Sequence, residues 1–294
     1  MKHSNPIGLI CILLVGFSSC VSFEEWRMEE SEALASLNQS GAKVQIQELE
    51  SLPGTNSIQA VEVDCGTQTR RNILVFVHGS PGNWIHYLKY MKDPELRKTY
   101  CIISLNRPGF RNGESDASVP DPEEQAKRIS ASVSFFLSKL SRPIGKHLVI
   151  VGHSYGGPIA GRIATLLPSH VTEIVLLAAA LDPEQEEIKW YNKFANSWVA
   201  KNLLPKSLIV SNDEMLPLKE QLATLQPTWS QLKAKAYIIQ GEKDTLVSPE
   251  NLEFAKRVFP EGTIAKAILL SEQDHFLPWR EFDLIKQILL EIPK

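Results

Sequence analysis

The run Val149-Ile150-Val151-Gly152-His153-Ser154-Tyr155-Gly156-Gly157 constrains this chain more than any other stretch. Its β-branched residues predict a buried strand, and the small-residue sequence Pro158-Ile159-Ala160-Gly161 that follows predicts a helix packed closely upon it. Between the two, G-x-S-x-G must reverse the chain within a few residues. A serine at the centre of such a turn sits in a sparsely populated backbone conformation, with its hydroxyl exposed at the top of the sheet. Gly152 and Gly156, two residues to either side, carry no Cβ to clash where strand and helix approach. The helix N-terminus beneath Ser154 offers free N–H groups and a positive dipole end, where a developing oxyanion is stabilised. A unit of this kind needs a covered sheet around it.

The remaining pattern supplies one. Residues 43–50 and 57–64 alternate apolar and polar side chains about the Pro53-Gly54 turn, which predicts an antiparallel hairpin at a sheet edge. The runs at 72–77 and 101–105 are continuously apolar, as expected of strands covered on both faces. Asp121-Pro122-Glu123-Glu124 opens a helix whose apolar positions, from Ala126 to Leu140, fall on one face. Further strands are predicted at 173–178, 236–240 and 264–270, with a closing amphipathic helix at 279–292. Strands alternating with helices imply an α/β architecture, a mostly parallel sheet with helices on both faces. The connection from Asp182 to Lys235 is too long for one crossover helix and is read as a small helical lid. Its apolar stripe (Ile188, Tyr191, Ala195, Trp198, Val199, Leu203) could line a substrate pocket or dock the lid onto the core.

The N-terminus is separate from this pattern. Lys2 and His3 precede an apolar run, Ile7 to Phe17, too short to span a bilayer and read as the core of a signal peptide over residues 1–19. Phe17-Ser18-Ser19-Cys20 resembles a bacterial lipobox, which would make Cys20 a lipidated N-terminus on the extracytoplasmic side of the cell envelope. An ordinary signal peptide cut nearby is the alternative. Glu-rich residues 20–42 are expected to form a tether or a loosely packed helix ahead of a catalytic domain over 43–294. A net charge of −3 without blocks of like charge gives no reason to expect nucleic-acid binding.

Taken in order, His78-Gly79-Ser80-Pro81-Gly82 after one strand, Gly152 to Gly156 after another, and an acid and a histidine later resemble the α/β-hydrolase fold family over roughly residues 43–294. The resemblance implies an eight-stranded sheet and a nucleophile at Ser154, whose hydroxyl needs an adjacent base. His275, in Gln273-Asp274-His275-Phe276 after the last predicted strand, stands where family members carry that base. Asp244, in Gly241-Glu242-Lys243-Asp244, stands at the family's acid position, and Asp182 is a rival that also reads as a helix cap. The oxyanion donors implied are the backbone N–H groups of Ser80 and Tyr155, since Pro81 has none. No metal or cofactor is implied.

The expected activity is therefore cleavage of a carboxylic ester through an acyl-enzyme, with a small-molecule ester or amide as substrate. Amide, peptide or carbon–carbon bond hydrolysis by the same triad is the alternative, as is a non-catalytic ligand-binding relative. In the family the second strand runs antiparallel beside the fourth, which would bring Cys65, ending one, near Cys101, beginning the other. A disulfide and two buried free thiols are both compatible with that placement.

Overall fold

In the computed structural model, which describes residues 23–66, 72–111, 117–140 and 145–294, the strands are β1 (Val44–Leu49), β2 (Ile58–Val63), β3 (Asn72–Val77), β4 (Tyr100–Leu105), β5 (Leu148–His153), β6 (Glu173–Leu177), β7 (Lys235–Gly241) and β8 (Ile264–Leu270). They form one eight-stranded sheet in the spatial order β1-β2-β4-β3-β5-β6-β7-β8. β2 pairs antiparallel with both neighbours, and every pairing from β4 to β8 is parallel. The helices are α1 (Glu30–Gln39), α2 (Leu88–Lys92), α3 (Pro94–Thr99), α4 (Pro122–Lys139), α5 (Gly156–Leu166), α6 (Trp190–Ala195), α7 (Trp198–Leu203), α8 (Lys206–Met215), α9 (Leu218–Leu225), α10 (Asn251–Val258), α11 (Leu277–Arg280) and α12 (Phe282–Glu291).

The continuously apolar strands are explained by two cores. Along β3, Ile73, Val75 and Val77 face a core built with α4, α5, α9 and α10. Leu74 and Phe76 face the opposite core, built with α1, α2 and α12. Side chains alternate across a strand, so covering both faces makes every position apolar.

Three local expectations change. The stretch expected to be a tether or loosely packed helix carries α1, whose Ala33 and Leu37 are completely buried in the second core. The closing helix is broken at Glu281 into α11 and α12. The apolar stripe of the lid does not run along one helix, because Ser197 caps α7 by accepting from the Ala200 N–H and separates it from α6. Within that stripe Ala195 is buried, but Ile188, Trp198 and Leu203 are exposed. Those three therefore neither dock the lid onto the core nor line an enclosed pocket.

Cys65 and Cys101 are joined by a disulfide, with their Cα atoms 4.5 Å apart. The register pairs Val63 with Ile102, so an unbroken ladder would set Cys65 opposite Tyr100 and point the two thiols to different faces. Asp64 resolves the conflict by adopting φ 58°, which breaks the alternation at the strand end. Its carboxylate is pinned there, accepting from the Lys43 N–H at 3.0 Å and from Arg97 Nε at 2.8 Å.

Candidate active site

Ser154 lies between β5 and α5 with φ 53°, a left-handed conformation that a residue with a Cβ holds only when its surroundings impose it. Its N–H donates to the Leu177 carbonyl at 3.0 Å, and its carbonyl accepts from the Gly157 N–H at 2.9 Å. The packing is as tight as the sequence requires. A Cβ on Gly152 would lie 2.3 Å from the Gly156 carbonyl oxygen, and one on Gly156 would lie 2.4 Å from that of Val77.

Asp244 and His275 are brought together from the loops after β7 and β8. Asp244 Oδ2 accepts from His275 Nδ1 at 2.8 Å and from Gln240 Nε2 at 3.2 Å. Its Oδ1 accepts from the N–H groups of Leu246 and Val247, both at 2.9 Å. The buried carboxylate is thus held by four donors, and the imidazole is oriented by one of its oxygens. Asp182 is elsewhere engaged: it caps the turn Pro183–Gln185 by accepting from the Glu184 N–H and lies 3.8 Å from Arg257.

His275 reaches the serine loop through its backbone. His153 Nε2 donates to the His275 carbonyl at 2.9 Å, and the two rings are 4.8 Å apart. Burial, then the charge of His275, holds the His153 imidazole well below the ordinary histidine range, so it serves as a neutral donor. The Ser154 hydroxyl itself is not hydrogen-bonded to His275.

The loop after β3 packs against the same serine, since a Cβ on Gly79 would lie 3.1 Å from Ser154 Cβ. Its geometry is set by residues that the sequence did not single out. Arg107 Nε donates to the His78 carbonyl at 2.8 Å and Nη2 donates to the Gly79 carbonyl at 2.9 Å. The other side of the guanidinium meets Glu214 of α8 in a completely buried pair, Nη1 to Oε1 at 2.5 Å and Nη2 to Oε2 at 3.0 Å. Gln125 of α4 completes the network, accepting from Arg107 Nη1 and donating to Glu214 Oε1, both at 2.7 Å. The guanidinium also stacks on the rings of Phe110 and Tyr155. His78 is fixed as the Nδ1–H tautomer, donating to the Gly79 carbonyl while Nε2 accepts from the Arg107 N–H. Burial, reinforced by the Arg107 charge, keeps it well below the usual histidine range.

One acid stands at the rim. Burial pushes the Glu186 carboxyl up to about 7, while Lys189 and His275 pull it down. Ser80 and Tyr155 both sit on loops that meet at Ser154, and the Ser80 hydroxyl is buried without a hydrogen-bond partner. Cys20 lies outside the described residues. No helix among the described residues is long and apolar enough to cross a membrane, and no cluster of His, Cys, Asp and Glu there could hold a metal ion.

The family model for the alpha/beta hydrolase family matches residues 74–287, from β3 through α12. The chain belongs to that family. Among relatives of this alpha/beta hydrolase, the uncharacterized hydrolase YugF of Bacillus subtilis is 22% identical over 258 residues, covering 76% of this chain and 90% of its own. The proline iminopeptidase PfmaB of Pestalotiopsis fici is 21% identical, over 78% of this chain and 94% of its own. Among solved structures, 2-hydroxy-6-oxo-6-phenylhexa-2,4-dienoate hydrolase of Rhodococcus sp. strain RHA1 superposes with a TM-score of 0.62 at 14% identity, over 85% of this chain and 99% of that one. At that identity the likeness speaks for the fold alone. One relative is named a proline iminopeptidase and another only a hydrolase, so this hydrolase's substrate has to be argued from its own site.

Proposed function

We propose that this hydrolase cleaves a carboxylic ester through an acyl-enzyme formed on Ser154. The observation that carries the reading is the Asp244–His275 hydrogen bond of 2.8 Å, with every Asp244 oxygen satisfied, beside a serine held at φ 53°. Rotation of the Ser154 side chain toward His275 Nε2 starts the reaction, since such contacts commonly tighten only with substrate bound. Ser154 Oγ attacks the carbonyl carbon as Nε2 takes its proton. Asp244 holds Nδ1–H and stabilises the imidazolium. The tetrahedral oxyanion accepts from the N–H groups of Ser80 and Tyr155, each donor being worth about 10²–10³ in kcat. Collapse expels the alcohol, which receives the proton from Nε2, and water then releases the acid by the same steps.

Ester cleavage is favoured over amide cleavage on leaving-group grounds, because an alkoxide needs less help from the imidazolium than an amine does. A binding-only role is disfavoured by the strained serine, a conformation that costs of order 1–3 kcal/mol and gives a receptor nothing in return. The second part of the reading is placement: export, with a lipid on Cys20 holding the chain to the outer side of a bacterial membrane. The Cys65–Cys101 bond supports an extracytoplasmic site, because such bonds persist in oxidising compartments.

The test is a fluorophosphonate probe together with matched chromogenic esters and aminoacyl amides. Probe attachment to Ser154, lost in Ser154→Ala with the unfolding temperature nearly unchanged, is the expected result. Faster turnover of the amides would move the substrate class, and attachment at another serine would remove the nucleophile assignment. Labelling by a palmitate analogue that disappears in Cys20→Ser tests the anchor separately.

A further inference from the structure

The first half of the lid carries the largest exposed apolar side chains of the described residues. Trp198 is 79% exposed, Leu203 74%, Trp190 72%, Phe194 61% and Ile188 48%. Monomeric soluble proteins seldom leave so many large apolar groups together in water without a use for them. Trp190 and Phe194 are four residues apart on α6 and share a face, while Trp198 opens α7 immediately afterwards.

The charge of the same stretch is equally one-sided. From Ile188 to Lys206 there are four lysines, Lys189, Lys193, Lys201 and Lys206, and no Asp or Glu, in a chain of net charge −3. All four are exposed, Lys189 reaching Glu187 just outside the stretch at 3.0 Å. Tryptophan and phenylalanine beside lysine, on short helices with a polar remainder, is the composition of a segment that lies in the headgroup layer of an anionic membrane.

The chain's beginning points to the same rim. Phe23 stacks on Trp279 with centroids 5.0 Å apart and packs against Phe276, the neighbour of His275, at 5.7 Å. Cys20 is three residues earlier, at most about 11 Å of extended chain. At the other side, Glu186 feels the charge of His275 and is two residues from Ile188. A lipid carried at residue 20 would therefore put a membrane surface beside Phe276 and the candidate site.

We infer that residues 188–206 are a docking surface for an anionic phospholipid bilayer. Trp190, Phe194, Trp198 and Leu203 enter the acyl–headgroup boundary and the lysines meet lipid phosphates. The site then faces the bilayer, and its ester is one drawn from a lipid. This last step deepens the ester-hydrolase reading and rests on it; the docking itself does not.

The experiment is vesicle sedimentation of the full-length chain carrying Cys20→Ser, with 7:3 phosphatidylcholine–phosphatidylglycerol vesicles and with phosphatidylcholine alone. Binding is expected to be stronger to the anionic vesicles, to weaken with salt, and to fall about tenfold or more in Phe194→Ser/Trp198→Ser. That variant should unfold at the parent's temperature, since both side chains already face water. Equal binding by parent and variant, or no binding by the parent, overturns the inference. So does a parent dimer that the variant converts to monomer, because a second copy would then be the occupant. Ser154→Ala should bind vesicles as the parent does, and loss of its turnover with binding retained separates failure of docking from failure of the ester reading.

Discussion

Residues 188–203 and 206–229 belong to one insertion and carry similar apolar side chains, yet they end in opposite environments. In the second half Val210, Leu218, Leu222, Leu225 and Trp229 are all at most 2% exposed. Trp229 lies over Gly161 of α5, so close that a Cβ there would be 2.9 Å from the ring, and Glu214 is locked to Arg107. In the first half α6 and α7 are six residues each, too short to be stable alone, and their large side chains face outward. What separates the halves is the partner surface. The second half meets a gap opposite Gly161 and a cation at position 107, whereas the first half buries small groups, Ala195, Ala200 and the Asn192 amide that donates to Asn212 Oδ1 at 3.1 Å.

The sharpest way to break this contrast is to ask whether either half supplies a reacting group. Asp244→Asn should lower kcat by about 10⁴, by leaving His275 in the wrong tautomer. Asp182→Asn, at the entrance to the insertion, should leave kcat within a few-fold and stability nearly unchanged, because asparagine caps about as well as aspartate. Steady-state kinetics on one chromogenic ester compares them, and exchanged severities would move the acid into the insertion.

Next in size is the lock. Glu214→Ala should destabilise the protein by about 3–5 kcal/mol, read as a fall in urea midpoint, because it strands a buried guanidinium. It should also lower kcat, since Arg107 holds the carbonyls of His78 and Gly79. An unchanged midpoint would mean that the second half is not fixed through this pair.

Smaller still is a pH effect at the boundary of the first half. The Glu186 carboxyl, pushed up to about 7 from 4.5, keeps a proton in the folded chain that the unfolded chain has released. Stability contributed by that proton is fully present below about pH 4.5 and is lost as pH rises through about 7. Glu186→Gln should therefore match the parent at pH 4 and exceed it at pH 8, by about 1 kcal/mol after screening. Thermal unfolding at the two pH values reads it. The smallest effect belongs to Phe194→Ser alone, which should change stability by less than about 0.5 kcal/mol in the same urea titration. A larger loss would mean that the first half is packed after all.

The sheet was legible because its signal is local: continuous apolar runs, each ending in a turn motif. Ser154 announces itself through the glycines its turn requires. Asp244 and His275 needed the order of motifs in a resembling family, since a carboxylate after one strand and an imidazole after another have no sequence signature of their own. Arg107 and Glu214 were invisible for a physical reason. They are far apart in the chain, and each looks like an ordinary surface charge until the fold desolvates both. The Asn196-Ser197 break was readable as a helix cap, but an apolar periodicity running through it concealed the stop. In α1 the glutamates suggested solvent, while Ala33 and Leu37, four apart, were the positions that mattered.

The close passage of Gly156 against the Val77 carbonyl bears on how this hydrolase could be given a new substrate. No side chain fits at that crossing or at Gly152, and the neighbouring loop is clamped by Arg107. An engineer enlarging or reshaping the site from the sheet side would displace Ser154 with every change. The exposed side chains of residues 188–203, Ile188, Phe194, Trp198 and Leu203 among them, impose no such penalty, because they face water rather than the core. A library confined to that stretch could alter what is admitted to the serine while leaving the reacting geometry untouched.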